Sequence, residues 1–169
     1  LDGAAPAPPI NISSTEKERL DYVNLLEPVY QGVFKTVFSS MELAIDIESE
    51  TKTIIGEDGN EIKIYISKPK DMSEDIPAII HLHGGGMAIL SANDTNYIYW
   101  RNKLASKGLV VLGVEFRNIG GAQGNHPFPA GLNDCISALK WVYKNKKELG
   151  ISKIILSGES GGGNLSIAT

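Results

Sequence analysis

The protein has 169 residues, a length that suits one compact domain. Apolar residues make up 42% of the chain and charged residues 21%, which excludes a disordered or collagen-like protein. Acidic residues outnumber basic ones by 20 to 16, for a net charge of -4, and this balance argues against a nucleic-acid binder. No apolar run approaches the ~18 residues that a transmembrane segment needs.

The composition also bears on compartment and cofactors. Cys135 is the single cysteine, so no internal disulfide can form, which favours a reducing, cytoplasmic location. The N-terminal residues lack a basic patch followed by an apolar stretch, and we expect no signal peptide. No group of Cys, His, Asp and Glu has metal-ligand spacing, so we expect neither a metal nor an organic cofactor.

The N-terminal part of the chain predicts an extended arm followed by two short helices. Residues 1–12 contain three prolines and read as the arm. Ser13 and Glu16 fit a capping box that would begin the first helix, and Pro28 is expected to end it. Apolar periodicity over residues 29–38 predicts the second helix. Its aromatic side chains fit core packing, and the alternative is a mobile cap over a binding pocket.

After these helices the apolar residues begin to alternate. Residues 51–55 and 61–66 flank a turn of sequence Gly-Glu-Asp-Gly-Asn, which predicts an antiparallel hairpin. After Pro77, residues 78–82 are apolar without alternation, as expected for a strand buried on both faces.

The rest of the chain alternates helix and strand. Helices are predicted over residues 95–107 and from Leu132 to near Gly150, and buried strands over residues 109–114 and 154–157. This alternation predicts an α/β fold with a mostly parallel sheet, an antiparallel N-terminal hairpin and helices on both faces.

The sequence Gly-Glu-Ser-Gly-Gly at residues 158–162 follows the last predicted strand and matches the nucleophile elbow in its required context. Ser160 would lie at the apex of the turn with its hydroxyl exposed. The helix beginning at Gly161 would direct its free N–H groups toward a developing oxyanion. A glycine-rich anion-binding turn of a nucleotide site is the alternative, but Asn164 stands where that motif carries lysine.

A second motif, His-Gly-Gly-Gly, occupies residues 83–86 directly after a predicted strand. Its glycines leave backbone amides free to point at one spot, as acyl transfer requires where the carbonyl oxygen becomes negative. The string by itself identifies no function. Together with the elbow it predicts an oxyanion hole built from two loops.

The chain resembles the hormone-sensitive-lipase family of α/β-hydrolase esterases over roughly residues 50–169. The segments that carry this resemblance are His-Gly-Gly-Gly-Met at 83–87, Phe-Arg-Asn at 116–118, His-Pro-Phe-Pro at 126–129 and Gly-Glu-Ser-Gly-Gly-Gly-Asn-Leu at 158–165. The resemblance implies the N-terminal part of an α/β-hydrolase fold. It divides the chain into an arm with cap helices at 1–48 and a portion of the core at 49–169.

The resemblance also implies roles for individual residues. Ser160 would be the nucleophile, and Gly85, Gly86 and Gly161 would donate N–H groups to the oxyanion. Gly84 is a further possible donor.

Other residues near these motifs are expected to give support. His83 would brace the oxyanion loop through hydrogen bonds rather than act as a base, and Glu159 would support the elbow. Arg117 and Asp134 are expected to form an orienting pair. His126 is expected at the surface or the rim of the pocket.

A serine nucleophile needs a histidine base and an orienting carboxylate, which in α/β-hydrolases follow the serine in the chain. Residues 161–169 contain neither, and the three histidines all precede Ser160. We therefore expect an N-terminal part truncated after the nucleophile elbow, with its last strand at a sheet edge. A second polypeptide or a missing C-terminal segment would carry the Asp and the His.

The sequence thus predicts a serine carboxylesterase that hydrolyses small to medium carboxylic esters or lactones through an acyl-enzyme. A small-molecule ester is the expected partner. One alternative is a catalytically silent α/β-hydrolase that serves as a small-molecule binding protein. Another is a non-enzymatic fragment that complements a second chain.

Overall fold

A computed structural model describes residues 10–72 and 75–169. Most of the predicted N-terminal arm and part of the predicted loop after the hairpin lie outside these residues. The helices of the described chain are Glu16–Phe38 (α1), Thr95–Ala105 (α2), Ala130–Asn145 (α3) and Gly161–Ala168 (α4), with a short 3-10 turn at Gly121–Gln123. Its strands are Ile47–Ile55 (β1), Glu61–Pro69 (β2), Ile76–Leu82 (β3), Val110–Val114 (β4) and Ile151–Gly158 (β5).

The strands form one mixed sheet in the order β1-β2-β4-β3-β5. The β1–β2 and β2–β4 pairs are antiparallel, whereas β3 pairs in parallel with β4 on one side and β5 on the other. The predicted fold class, including the N-terminal hairpin, is therefore confirmed. Among the residues that the structure describes, no helix is both long and apolar enough to span a bilayer.

The two faces of the sheet are covered by different helices. Ile64 and Ile66 of β2 are almost completely buried in the same core as Cys135 of α3. Tyr65, between them, lies beneath the guanidinium of Arg101 of α2, which is 5.4 Å from the centre of its ring. Because successive side chains of a strand point to opposite faces, α2 and α3 pack on opposite sides. The predicted arrangement of helices on both faces is confirmed.

The start of α1 differs from the prediction. The N-cap is Thr15 rather than Ser13, and its capping partner is Glu18 rather than Glu16. The Thr15 side chain accepts a hydrogen bond from the Glu18 amide at 3.3 Å, and the Glu18 carboxylate accepts one from the Thr15 amide at 2.7 Å. The Ser13 hydroxyl donates instead to the Asn11 side chain at 2.6 Å, so it is not available to cap the helix.

The predicted break between two N-terminal helices is wrong, because α1 continues through Pro28. Proline removes one helical hydrogen bond and crowds the preceding turn. Tertiary contacts offset this cost: the neighbouring Glu27 is buried and accepts hydrogen bonds from the amides of Leu90 at 2.7 Å and Ala122 at 2.6 Å. Sequence periodicity cannot reveal this anchorage, since both amides lie more than sixty residues away.

The remaining predicted elements are present with shifted boundaries. The hairpin strands are longer than predicted, and β3 includes Pro77. The last strand, β5, lies at the edge of the described sheet as predicted, and Ile155 on it is about half exposed. It is consequently less buried than its apolar sequence indicated.

Candidate active site

Ser160 lies at the junction of β5 and α4, as the N-cap of that helix. Its backbone has φ 49° and ψ -121°, and a positive φ is unusual for a residue with a side chain. The neighbouring glycines make this turn possible. A Cβ at Gly162 would be 2.0 Å from the Leu82 carbonyl oxygen, and one at Gly158 would be 2.2 Å from the Gly162 carbonyl oxygen. The strand therefore reverses into a helix within very little space and leaves Ser160 exposed.

The second loop begins where β3 ends. Gly85, Gly86 and Met87 all have positive φ values, of 98°, 66° and 61°. The Gly85 carbonyl accepts hydrogen bonds from the amides three and four residues further on, at Ala88 and Ile89. A Cβ at Gly85 would lie 2.2 Å from the Ile89 carbonyl oxygen. Close approach and left-handed backbone together explain why glycine occupies this position.

The two loops are in contact with each other. A Cβ at Gly161 would lie 2.8 Å from the Met87 amide nitrogen and 2.9 Å from the Gly86 Cα. Gly161 is the first residue of α4, so its N–H has no partner within the helix. Within residues 10–72 and 75–169, no acceptor is found for the N–H groups of Gly85 and Gly86. Three N–H groups for which the described part of the chain shows no acceptor, those of Gly85, Gly86 and Gly161, thus belong to the two loops beside Ser160.

Gly84 differs from the other glycines of its loop. Its N–H donates to the Tyr97 hydroxyl oxygen at 3.0 Å, and that hydroxyl donates in turn to Glu159 Oε1 at 2.6 Å. The Gly84 amide is therefore engaged, and the predicted further contribution of this residue to the oxyanion hole does not fit its hydrogen bonding. Burial, together with the Glu159 carboxylate, raises the pKa of Tyr97 above its ordinary value.

Tyr97 was missed by the sequence analysis. An aromatic residue on a helix is ordinarily read as core packing, and the Tyr97 ring does pack in a small core with Ile89 and Leu90. Only the tertiary structure brings its hydroxyl between the two loops.

A cavity of about 430 Å³ opens beside Ser160. One wall is the apolar side of α1. The opposite wall consists of the two glycine loops and of residues 88–90, which follow the loop after β3. The lining residues are Val23, Leu26, Tyr30, Phe34, Gly84, Gly85, Gly86, Ala88, Ile89, Leu90, Tyr97, Glu159 and Ser160. The structure therefore brings the predicted nucleophile and all three glycines of the His-Gly-Gly-Gly motif to one largely apolar cavity.

His83 is completely buried beneath this loop. Its Nδ1 donates to the Gly84 carbonyl at 2.8 Å, and its ring stacks on Phe116 with centroids 4.1 Å apart. Because a carbonyl can only accept, Nδ1 carries the proton and Nε2 is bare. Burial lowers the pKa of His83 to about 4, against the opposing effect of the hydrogen bond to Gly84. A neutral His83 supports the loop backbone and does not line the cavity.

The other two histidines also lie outside the cavity lining. The His81 ring packs against Trp100 with centroids 4.0 Å apart, and burial lowers the pKa of His81 to about 4. His126 Nε2 donates to the Gln123 carbonyl at 2.8 Å. Neither ring therefore lines the cavity that holds Ser160.

Arg117 and Asp134 form the orienting pair that the sequence predicted. The guanidinium donates to both carboxylate oxygens, at 2.9 Å from Nε and 2.8 Å from a terminal nitrogen. Asp134 is buried in α3, and Asn60 of the hairpin turn donates to it at 3.0 Å. Arg117 also contacts Asp58 at 2.5 Å. The pair ties the hairpin turn and the loop after β4 to α3, away from the cavity.

Comparisons with known proteins place the chain in one family and among carboxylesterases. The sequence matches the BD-FAE family over residues 63–169. It is 34% identical to the carboxylesterase NlhH of Mycobacterium tuberculosis over 128 residues, which are 74% of this chain and 38% of that protein.

Solved structures give the same result. A brefeldin A esterase, described as a bacterial homologue of human hormone-sensitive lipase, superimposes with a TM-score of 0.79 and 39% identity, over 99% of this chain and 46% of that one. The esterase Est22 superimposes with a TM-score of 0.76 and 39% identity, over 92% of this chain and 46% of its own. The chain thus spans less than half the length of each of these relatives.

Proposed function

The chain belongs to the BD-FAE family, among the α/β-hydrolases related to hormone-sensitive lipase, and on this premise we propose that it contributes the nucleophile and the oxyanion hole of a serine carboxylesterase. The observation that carries the proposal is the position of Ser160. Ser160 has a positive φ at a strand–helix junction, and it lines the same cavity as Gly85 and Gly86. The comparisons support ester hydrolysis as the general activity.

In the proposed mechanism the Ser160 hydroxyl attacks the ester carbonyl carbon as its proton passes to a base. The carbonyl oxygen becomes negative and accepts hydrogen bonds from the N–H groups of Gly85, Gly86 and Gly161. The positive end of the α4 dipole adds to this stabilisation. The alcohol leaves, and water then hydrolyses the acyl-enzyme by the same steps. Loss of one such donor typically raises the barrier by about 2.7–4 kcal/mol.

The proposed base is a histidine from outside residues 1–169, oriented by an Asp from outside them as well. The contacts of the histidines in the chain support this assignment. His83 donates a hydrogen bond to the Gly84 carbonyl, and His126 donates one to the Gln123 carbonyl. His81 packs on Trp100. A further segment of the same polypeptide or a second chain would supply the pair.

The proposed substrates are small to medium carboxylic esters or lactones. The cavity of about 430 Å³ is bounded mainly by aliphatic and aromatic side chains, and Glu159 is the one charged residue among those that line it. An uncharged acyl group fits such a lining, whereas an anionic one would lie near the Glu159 carboxylate. Residues 1–48 are proposed as the cap that shapes this pocket. Within them, α1 forms one wall of the cavity.

The test is covalent labelling and turnover in the full-length protein. A fluorophosphonate probe should label the wild type, and p-nitrophenyl butyrate should be hydrolysed. Ser160→Ala should abolish labelling and lower kcat by at least about 10⁴-fold, as loss of a serine nucleophile does. The matched control is Ser166→Ala on the same helix, whose hydroxyl bonds to the Gly162 carbonyl; it should retain both activities.

Two other outcomes would contradict the proposal. A wild type that binds ester analogues without labelling or turnover would be a silent binding protein. Labelling that persists in Ser160→Ala would put the nucleophile elsewhere.

The origin of the base has its own test. His81→Gln and His126→Gln should both keep fluorophosphonate labelling within about tenfold of the wild type. Loss of labelling in either variant as complete as that of Ser160→Ala would place the base within this sequence and overturn that part of the proposal.

A further inference from the structure

We propose that Tyr97 is a positioning residue that holds the oxyanion loop in register with the nucleophile elbow through its hydrogen bonds to Gly84 and Glu159. This inference rests on the proposed function and deepens it, because it concerns the same site. Gly84 belongs to the loop after β3, and Glu159 immediately precedes Ser160. One phenolic oxygen therefore joins the two loops whose separation defines an oxyanion hole.

The Tyr97 hydroxyl both accepts and donates a hydrogen bond in this bridge. A phenol can accept one hydrogen bond and donate another at the same time. Here it accepts from the Gly84 N–H at 3.0 Å and donates to Glu159 Oε1 at 2.6 Å. The second distance is in the range of O–H···O⁻ hydrogen bonds to a charged acceptor, which are stronger than neutral ones.

The bridge acts on the peptide that precedes the one carrying the Gly85 N–H. The Gly84 N–H belongs to the peptide between His83 and Gly84, and Tyr97 fixes the rotation of that peptide. The Gly84 carbonyl belongs to the following peptide and accepts from His83 Nδ1 at 2.8 Å. In a planar trans peptide the C=O and N–H point in opposite directions. The N–H of Gly85 is therefore directed away from His83 by two hydrogen bonds that act on consecutive peptides.

The Tyr97 ring is itself well fixed. The residue is only 4% exposed, and its ring centroid lies 5.7 Å from that of His83 and 5.9 Å from that of His81. A Cβ at Gly84 would lie 3.2 Å from Glu159 Oε1 and 3.4 Å from the Tyr97 oxygen. The close packing of these three residues leaves the hydroxyl little freedom to take another partner.

The main test is Tyr97→Phe in the full-length enzyme, which removes one oxygen and keeps the ring. We expect kcat for p-nitrophenyl butyrate to fall by about 10- to 100-fold, the scale of a small misplacement of catalytic groups, with KM within about twofold. The matched control is Tyr99→Phe on the same helix, whose ring packs against Phe38 outside the cavity. It should retain wild-type kcat.

A second readout separates positioning from general stability. A trifluoromethyl ketone forms an anionic tetrahedral adduct with an active serine, whereas an ether analogue of the ester only occupies the pocket. Tyr97→Phe should weaken ketone inhibition by the same factor as kcat and leave the affinity of the ether unchanged. A variant that melts earlier but keeps both kcat and ketone affinity would overturn the inference.

Glu159 provides a further pair of variants, should Tyr97→Phe fail to fold. Glu159→Gln keeps an acceptor oxygen for Tyr97 and should lower kcat less than Glu159→Leu does. Glu159→Leu removes the acceptor and should lower kcat by about tenfold without changing affinity for the ether. Equal kcat values in these two variants would overturn the role of the bridge.

Failure of this inference is distinguishable from failure of the proposed function. If Ser160→Ala abolishes labelling but Tyr97→Phe and Glu159→Leu are fully active, only the bridge is wrong. If the wild type is neither labelled nor active, the proposed function itself is wrong.

Discussion

The carboxylate of Glu27, in the middle of α1, accepts a hydrogen bond at 2.7 Å from the amide of Leu90, in the segment that follows the His-Gly-Gly-Gly loop at residues 83–86. Its second oxygen accepts from the Ala122 amide at 2.6 Å. Glu27 is only 5% exposed, so solvent cannot replace these bonds. Helix α1 is therefore attached at its centre to two loops, and the cavity wall that it forms is held in place by a buried carboxylate.

Glu27→Ala should destabilise the protein, because it leaves two amides without an acceptor. Each buried amide that loses its partner costs roughly 1–3 kcal/mol. Urea unfolding of the variant should show this loss, and KM for p-nitrophenyl esters should rise as the α1 wall loosens. The control is Glu42→Ala, at an exposed position after α1. Its free energy of unfolding should differ from that of the wild type by less than about 0.5 kcal/mol. Equal stability of the two variants would show that the Glu27 bonds do not anchor the helix.

Two glycine-to-alanine changes should shift stability in opposite directions. A Cβ at Gly162 would collide with the carbonyl oxygen of Leu82, so Gly162→Ala should cost at least about 3 kcal/mol. Gly32 lies exposed inside α1 with open space around it, and Gly32→Ala should stabilise by about 0.5–1 kcal/mol. Chemical unfolding of both variants provides the measurement, and a tolerated Gly162→Ala would contradict the elbow packing.

Stability should fall in mild acid because of His83. Burial lowers the pKa of His83 to about 4, whereas the unfolded chain has its ordinary value near 6.5. Between these values the unfolded state binds a proton that the native state does not. The contribution of His83 to the free energy of unfolding is therefore complete above pH 6.5. As the pH falls toward 4 it is lost, at about 1.4 kcal/mol per pH unit.

The measurement is urea unfolding of the wild type and of His83→Asn at pH 7 and pH 5. Asparagine can still donate to the Gly84 carbonyl but does not titrate. The variant should lose less stability between the two pH values than the wild type, by up to about 2 kcal/mol. Identical losses would mean that His83 is not protected from protonation.

Arg117→Ala should be among the most damaging changes outside the cavity. It leaves the carboxylate of Asp134, with a side chain only 1% exposed, without its charged partner, and breaking such a buried pair costs about 3–5 kcal/mol. The comparison is Lys140→Ala, which breaks the exposed ion pair with Glu57 and should cost no more than about 1 kcal/mol. Unfolding energies that are equal for the two variants would contradict the structural role of Arg117.

Local patterns were sufficient to predict the order of the elements and the two glycine motifs. Alternation in β2 and uninterrupted apolar runs in β3 and β4 are direct consequences of burial on one face or on two, so they are visible in the sequence. Ser160 could be identified from the sequence because neighbouring residues predict a strand, a tight turn and the start of a helix. Ser160, Gly85 and Gly86 line one cavity, and their joint role in catalysis is a proposal that labelling has to test.

Long-range contacts decided the remaining features, and no local pattern encodes them. The continuity of α1 through Pro28 depends on the amides of Leu90 and Ala122, which hold Glu27. The bridge through Tyr97 exists because packing of α2 brings a phenol between two loops that are 75 residues apart in the chain, from Gly84 to Glu159. A side chain's chemical type is a property of the sequence, but its partner depends on how distant segments pack.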